Sequence, residues 1–166
     1  FGGTFDPIHI GHLRIATELR DLLEVDVVHL MPCFQAVHKH VLTTSSDRLN
    51  MLSLAIENDP CLSIDDREIK RSKPSFTFDS LIQLREECST RPILLVMGTD
   101  SLQGIASWRR ADMFHSMTNV LVIRRPGVKA NDKCSGSEVL VPLGFTKADK
   151  LGDLKLTNSG LYSELD

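Results

Sequence analysis

The run Gly2-Gly3-Thr4-Phe5-Asp6-Pro7-Ile8-His9-Ile10-Gly11-His12 sets a glycine-rich turn directly before a helix, with two histidines at the junction. The glycines let backbone N–H groups approach an anion closely, and Asp6-Pro7 punctuates the turn. A helix that starts here directs its unpaired N–H groups and the positive end of its dipole at the same point. His9 and His12 lie one turn apart, so both imidazoles can face it. Backbone donors plus two imidazoles suit a phosphate whose charge grows during a reaction. The plainer alternatives are metal coordination and an incidental helix start. A metal site needs three or four suitable ligands, and no Cys, His or Glu nearby completes one, so no metal ligand is assigned. The chain reads as a phosphate-handling enzyme.

Hydrophobic periodicity gives the architecture. Ile10, Leu13, Ala16, Leu19, Leu22 and Leu23 recur at helical spacing over 9–23, and the β-branched run 25–31, ended by Pro32, reads as a buried strand. Residues 34–44 read as a loop. Ser46 is expected to cap a helix carrying Leu49, Leu52, Ala55 and Ile56. A weaker strand is expected over 61–69, a helix over 76–87, and the strongest strand over 93–97, leading into Gly98-Thr99-Asp100. Residues 101–114 read as helix in two pieces around Gly104, 119–124 as strand, 130–136 as loop and 138–143 as strand. This alternation predicts an α/β chain with a doubly wound, Rossmann-like parallel sheet, organised as a single domain over 1–166. Ligands of such sheets sit at the carboxyl ends of the strands.

Composition narrows the class. With 166 residues and 42% hydrophobic content the chain can bury a real core, and its net charge of −3 argues against general nucleic-acid or membrane binding. Lys70-Arg71-Ser72-Lys73 reads as a solvated loop rather than an anion patch. Cys33, Cys61, Cys88 and Cys134 show no zinc-like spacing, and reduced thiols in a cytoplasmic protein are expected. No apolar run is long enough to span a bilayer, and no secretory signal is visible.

Three later blocks carry chemistry. His38-Lys39, in the loop after the second strand, brings positive charge within reach of a phosphate. Gly98 permits close backbone approach, and Asp100 can accept hydrogen bonds from ribose hydroxyls or cap the next helix. Trp108 is the chain's one tryptophan, and burial statistics alone favour a core role for it. In Arg124-Arg125-Pro126-Gly127 an arginine could serve phosphate or pair with a neighbour, and the structural role is favoured.

Gly-Gly-Thr-Phe-Asp-Pro-x-His-x-Gly-His resembles the signature of the nucleotidyltransferase superfamily with the His-x-Gly-His motif, and its wording is similar to that of the bacterial nicotinate-mononucleotide adenylyltransferases. The resemblance continues through 32–39, 47–81 and 98–127, and the remainder matches poorly. It implies transfer of adenylate from ATP to nicotinate mononucleotide, giving nicotinate adenine dinucleotide and pyrophosphate, with Mg²⁺ accompanying ATP. ATP would lie along Gly2, Gly3 and Thr4, with His9 and His12 on its phosphates and Gly98 and Asp100 on nucleotide. Trp108 would stack on the pyridine ring, with Phe76 nearby and Thr77 toward its carboxylate. Phe76 replaces the family's usual Tyr, and Ala36-Val37 replaces the two prolines usual before His38-Lys39.

The family's Ser/Thr-rich block followed by Arg has no counterpart here, since Leu156-Thr157-Asn158-Ser159-Gly160 lacks the Arg. That block, and a first strand ahead of the turn, are expected to lie outside the sequence. Rivals are an adenylyltransferase for nicotinamide mononucleotide or phosphopantetheine, and a non-catalytic nucleotide-binding module. A homo-oligomer is left open.

Overall fold

The computed structural model describes residues 1–37, 41–124 and 135–165. His38 and Lys39, Arg125 to Gly127 and Cys134 lie outside the described residues, as does most of the loop expected over 130–136. The chain forms two compact units, Phe1–Ser75 and Phe76–Asp166.

The first unit runs β1 (Gly2–Gly3), α1 (Ile10–Leu23), β2 (Val28–Pro32), α2 (Ser45–Ile56), β3 (Leu62–Ile64) and α3 (Arg67–Arg71). Its three strands pair in the order β1-β2-β3, all parallel, with Gly2 opposite Met31 and Val28 opposite Leu62. The core gathers Phe5, Ala16, Leu30, Leu52, Ile56 and Leu62. On α1 the buried residues Ala16, Leu19 and Leu23 fall at helical spacing on one face. The helix stops where Glu24 turns left-handed, at φ 49°.

Several expectations shift here. Gly2 and Gly3 are strand, not turn; the turn proper falls at Asp6-Pro7. Helix α2 is capped by Thr44 rather than Ser46: the Thr44 hydroxyl accepts from the Asp47 N–H at 3.1 Å and donates to the Asp47 carboxylate at 2.7 Å. The strand expected over 61–69 ends at Ile64, and its charged second half forms α3. Lys70 and Arg71 therefore sit on a helix rather than in a loop. Lys70 pairs with Asp66 at 2.9 Å, and Arg71 lies 3.9 Å from Glu68.

The second unit runs α4 (Thr77–Cys88), β4 (Leu94–Gly98), α5 (Thr99–Gly104), two 3-10 turns (Ile105–Ser107 and Ala111–Ser116), β5 (Asn119–Ile123), α6 (Gly136–Leu140), β6 (Thr146–Lys147), α7 (Asp153–Leu156) and β7 (Leu161–Leu165). Its four strands are parallel in the order β4-β5-β7-β6. Leu81, Met97, Leu102, Ile105, Phe114 and Val120 are among its core. The strand expected over 138–143 is instead helix through Leu140 and turn beyond it. Ser135 and Glu138 form a reciprocal capping box, the Ser135 hydroxyl accepting at 3.3 Å and the Glu138 carboxylate at 3.2 Å, and this overrides the β-branched run. Arg124 has the structural role expected of that block, pairing with Glu164 of β7 at 2.7 Å.

Asn119 ties the late segment to the sheet. It is fully buried, its amide nitrogen donates to the carbonyls of Leu154 at 2.8 Å and Thr157 at 2.6 Å, and its oxygen accepts from the Leu161 N–H at 2.9 Å. Asn119→Leu strands two carbonyls and an amide, at a cost of about 2–4 kcal/mol. Denaturant titration is expected to show a lower midpoint at unchanged slope. An unmoved midpoint would show that water replaces all three bonds. Among the described residues no helix is long and apolar enough to cross a membrane.

Candidate active site

The first unit carries most of the residues expected at the phosphates. Past β1 the chain reaches Phe5, which adopts φ 49° with its ring buried in the core. A left-handed backbone at a bulky residue is costly, and here core packing of the ring sustains it. That ring explains Gly3: a Cβ there would lie 2.9 Å from Phe5 Cε1. Gly2 faces open space, with nothing within 4 Å of the position a Cβ would take, which suits close approach of a ligand to the backbone.

His9 is the N-cap of α1, in extended conformation, and its carbonyl accepts from the N–H of His12 at 2.9 Å. The two imidazoles stack with centroids 3.7 Å apart and 27° between planes. Gly11 makes this possible: a Cβ at that position would stand 3.1 Å from the His9 ring. The His-x-Gly-His spacing thus has a steric cause beyond its helical period. His12 Nδ1 accepts from the His9 backbone N–H at 3.3 Å, so in the neutral ring the proton sits on Nε2, making it a donor. The His12 ring also stands edge-on to Phe5, centroids 5.2 Å apart, which restricts its rotation. His9 is exposed and His12 half-buried.

Arg48 was not anticipated as a site residue. It is 1% exposed, and its guanidinium donates to three backbone carbonyls: Thr4 at 2.6 Å, Cys33 at 2.7 Å and Phe34 at 2.9 Å. One nitrogen also lies 3.8 Å from the Cys33 sulfur. Arg48, Leu52 and Ile56 are the buried residues of α2, spaced four apart. A charged residue in register with an apolar stripe was the signal available in the sequence. Burial pushes the Cys33 thiol above its ordinary pKa, against the opposing pull of the Arg48 charge. Cys33 therefore stays a thiol near neutral pH rather than a nucleophile.

The second unit carries the residues expected at the pyridine nucleotide. Phe76 caps α4 and Thr77 opens it. Trp108 ends the first 3-10 turn, half-buried, with its ring edge-on to Phe114 at 6.3 Å between centroids and its Nε1 beside Gly104. Its neighbour Arg109 joins it to α4. The Arg109 guanidinium carbon sits 5.3 Å from the centre of the Phe76 ring, and one nitrogen donates to Asp79 at 3.2 Å. Arg109, next to Trp108 in the chain, thus packs on Phe76, and it is a second residue that the sequence reading missed. Gly98 ends β4 and caps α5 in an extended conformation. Asp100 lies inside the first turn of α5, so the capping role expected of it falls to Gly98; its carboxylate is on an exposed residue. Among the described residues no group of three or more His, Cys, Asp or Glu could hold a metal ion.

Residues 1–149 match the cytidylyltransferase-like family model. A probable nicotinate-nucleotide adenylyltransferase of Vesicomyosocius okutanii is 38% identical over 98% of this chain and 78% of its own length. A protein of the same name from Marinobacter nauticus is 42% identical over 99% of this chain and 76% of its own length. The one from Cellvibrio japonicus is 46% identical over 76% of this chain and 61% of its own length. Among solved structures, Plasmodium falciparum nicotinic acid mononucleotide adenylyltransferase complexed with NaAD superposes with TM-score 0.70 at 20% identity, covering 99% of this chain and 71% of that one. At that identity the likeness concerns the fold, which is the Rossmann-like α/β fold of parallel sheets flanked by helices. Sequence motif, family model and relatives agree: the chain belongs to the cytidylyltransferase-like family and, within it, to the bacterial nicotinate-nucleotide adenylyltransferases.

Proposed function

We propose that this chain is the nucleotidyltransferase that joins ATP and nicotinate mononucleotide into nicotinate adenine dinucleotide, releasing pyrophosphate, in NAD biosynthesis. The observation that carries the reading is the stacked His9–His12 pair at the N-terminus of α1, one turn beyond β1. In-line transfer needs little covalent help from the protein; positioning and charge stabilisation supply most of the rate. An oxygen of the acceptor's 5′-phosphate bonds to the α-phosphorus as the bond to the β-phosphate oxygen breaks. Pyrophosphate leaves with that electron pair, and no enzyme-bound covalent intermediate forms. His12 Nε2 and the exposed His9 ring donate to the phosphate oxygens that gain charge, aided by the positive end of the α1 dipole.

Mg²⁺ enters as part of Mg-ATP, neutralising the polyphosphate. Gly2, Gly3 and Thr4, with His38 and Lys39, are assigned to ATP and its phosphates. Gly98 and Asp100 are assigned to nucleotide, and Phe76, Thr77 and Trp108 to the pyridine end. The family model runs across the boundary of both units, which supports one nucleotidyltransferase domain over 1–166. The reading places the enzyme in the cytoplasm, with small nucleotides rather than nucleic acid as its ligands.

The test is pyrophosphate release from Mg-ATP with nicotinate mononucleotide, nicotinamide mononucleotide or phosphopantetheine as the separate acceptor. Release with the nicotinate form far above the others is the expected result. Preference for another acceptor would keep the chemistry and move the substrate. ATP binding with no release from any acceptor would make this a nucleotide-binding module.

A further inference from the structure

The Arg48 guanidinium is a buried cation whose hydrogen-bonding partners are backbone carbonyls and a thiol; among the described residues no carboxylate lies within ion-pair distance of it. An apolar side chain in its place would leave those three carbonyls without their donors, so the arginine is tied to the backbone it binds rather than to a charged partner. Its carbonyl partners come from two places. Thr4 follows β1, and Cys33 and Phe34 follow β2, so one side chain holds the carboxyl ends of two adjacent parallel strands. Ligands of parallel sheets bind at those ends.

The peptide plane turns this clamp into a directional device. In a trans peptide the C=O and the following N–H point to opposite sides. Drawing the Thr4 carbonyl onto Arg48 therefore turns the Phe5 N–H away from the core. The same holds for the Cys33–Phe34 peptide, whose outward N–H is bound by the Ser75 hydroxyl at 2.9 Å. Phe5 is also the residue with φ 49°, and its ring contacts both Gly3 and His12, so the turn, the strand end and the catalytic imidazole share one anchor.

We propose that Arg48 is a positioning residue for nucleotidyl transfer. By clamping the carbonyls of Thr4, Cys33 and Phe34 it fixes the Phe5 N–H as a phosphate donor and sets the turn that places His12. This rests on the phosphate-handling role proposed above for the turn, and it adds a residue, Arg48, that lies outside the sequence motif.

Two variants separate positioning from bulk stability. Arg48→Lys keeps the charge but loses the fork that reaches three carbonyls at once, and Arg48→Met keeps only the volume. In steady-state pyrophosphate release, both variants are expected to lose about 10²-fold in kcat, as a small misplacement of reacting groups does. KM for the acceptor is expected to stay within about threefold, since uniform binding is not what is lost. Rates are normalised to folded protein by circular dichroism and thermal melting. Near-normal kcat per folded molecule in Arg48→Lys or Arg48→Met would overturn the proposal and leave Arg48 a core stabiliser.

A measurement on the unaltered chain decides the matter if neither variant folds. The Phe5 amide resonance is expected to move strongly on titration with a non-hydrolysable ATP analogue. An unmoved Phe5 amide, with analogue binding evident elsewhere, would overturn the proposal. Should the unaltered chain prefer a different acceptor, the acceptor assignment fails, while the same kcat comparison run with that acceptor still tests Arg48. Should it release no pyrophosphate with any acceptor, the Phe5 titration remains.

Discussion

Replacing His12 with alanine is expected to lower kcat by about 10²- to 10³-fold, the loss typical of removing one preorganised donor to developing transition-state charge. kcat and kcat/KM should fall together, because the contact matters most when the transferring phosphoryl oxygens gain charge. Alanine also removes something structural. His12 Nδ1 accepts the His9 backbone N–H at 3.3 Å, so the variant frays the start of α1 by about 1 kcal/mol, the usual worth of a cap. His12→Asn separates the two roles. Its amide oxygen can take the place of Nδ1 as acceptor, but nothing replaces Nε2 as donor. We expect the asparagine variant to melt close to the parent and to be about as slow as alanine. An active asparagine variant would make His12 a capping residue, and His9, stacked on it at 3.7 Å, would become the leading donor.

The parts of this site that are legible in the sequence are those written in local spacing. Helix α1 with its buried Ala16, Leu19 and Leu23, and the two histidines at its start, follow from the 3.6-residue period. Strands β2, β4 and β5 announce themselves as short, mostly apolar runs. What the sequence hides is decided by partners far along the chain. Gly2 and Gly3 become strand through pairing with Met31 and Pro32, and two glycines carry no strand propensity of their own. Leu161–Leu165 pairs with β5 although its apolar residues do not alternate cleanly.

The roles of the two arginines have no local signature of their own, because charge alone does not say what a guanidinium binds. Arg48 shares a face with Leu52 and Ile56, and its two terminal nitrogens bind three carbonyls from loops 14 to 44 residues away while its buried Nε is left without a partner. Arg109, beside Trp108 in the chain, packs over Phe76 and pairs with Asp79. Both cases show the same physics. A guanidinium is placed by acceptors and π-faces that are brought to it by the fold, and composition records only its charge.

Trp108→Ala is expected to raise KM for nicotinate mononucleotide by about 10- to 100-fold, from the roughly 1–3 kcal/mol that an aromatic platform contributes to stacking on a heterocycle. KM for ATP should stay within about threefold, because the phosphate and adenine contacts are assigned elsewhere. The geometry supports a split role for this ring. One edge meets Phe114, and Gly104 leaves room for Nε1, yet the residue is only half-buried, so part of the indole remains available. The packed part predicts a stability loss as well, and Trp108→Phe serves as the control by retaining an aromatic face. If stacking is the function, phenylalanine restores most of the acceptor KM. If packing is the function, both variants lose stability in proportion to volume, and KM for the acceptor does not respond. The neighbouring guanidinium of Arg109, held over Phe76 and against Asp79, keeps positive charge beside this surface in every one of these variants. A preference for the acid over the amide acceptor should therefore survive Trp108→Ala even as affinity for both falls, and its disappearance would show that the indole, not the charge beside it, distinguishes the two.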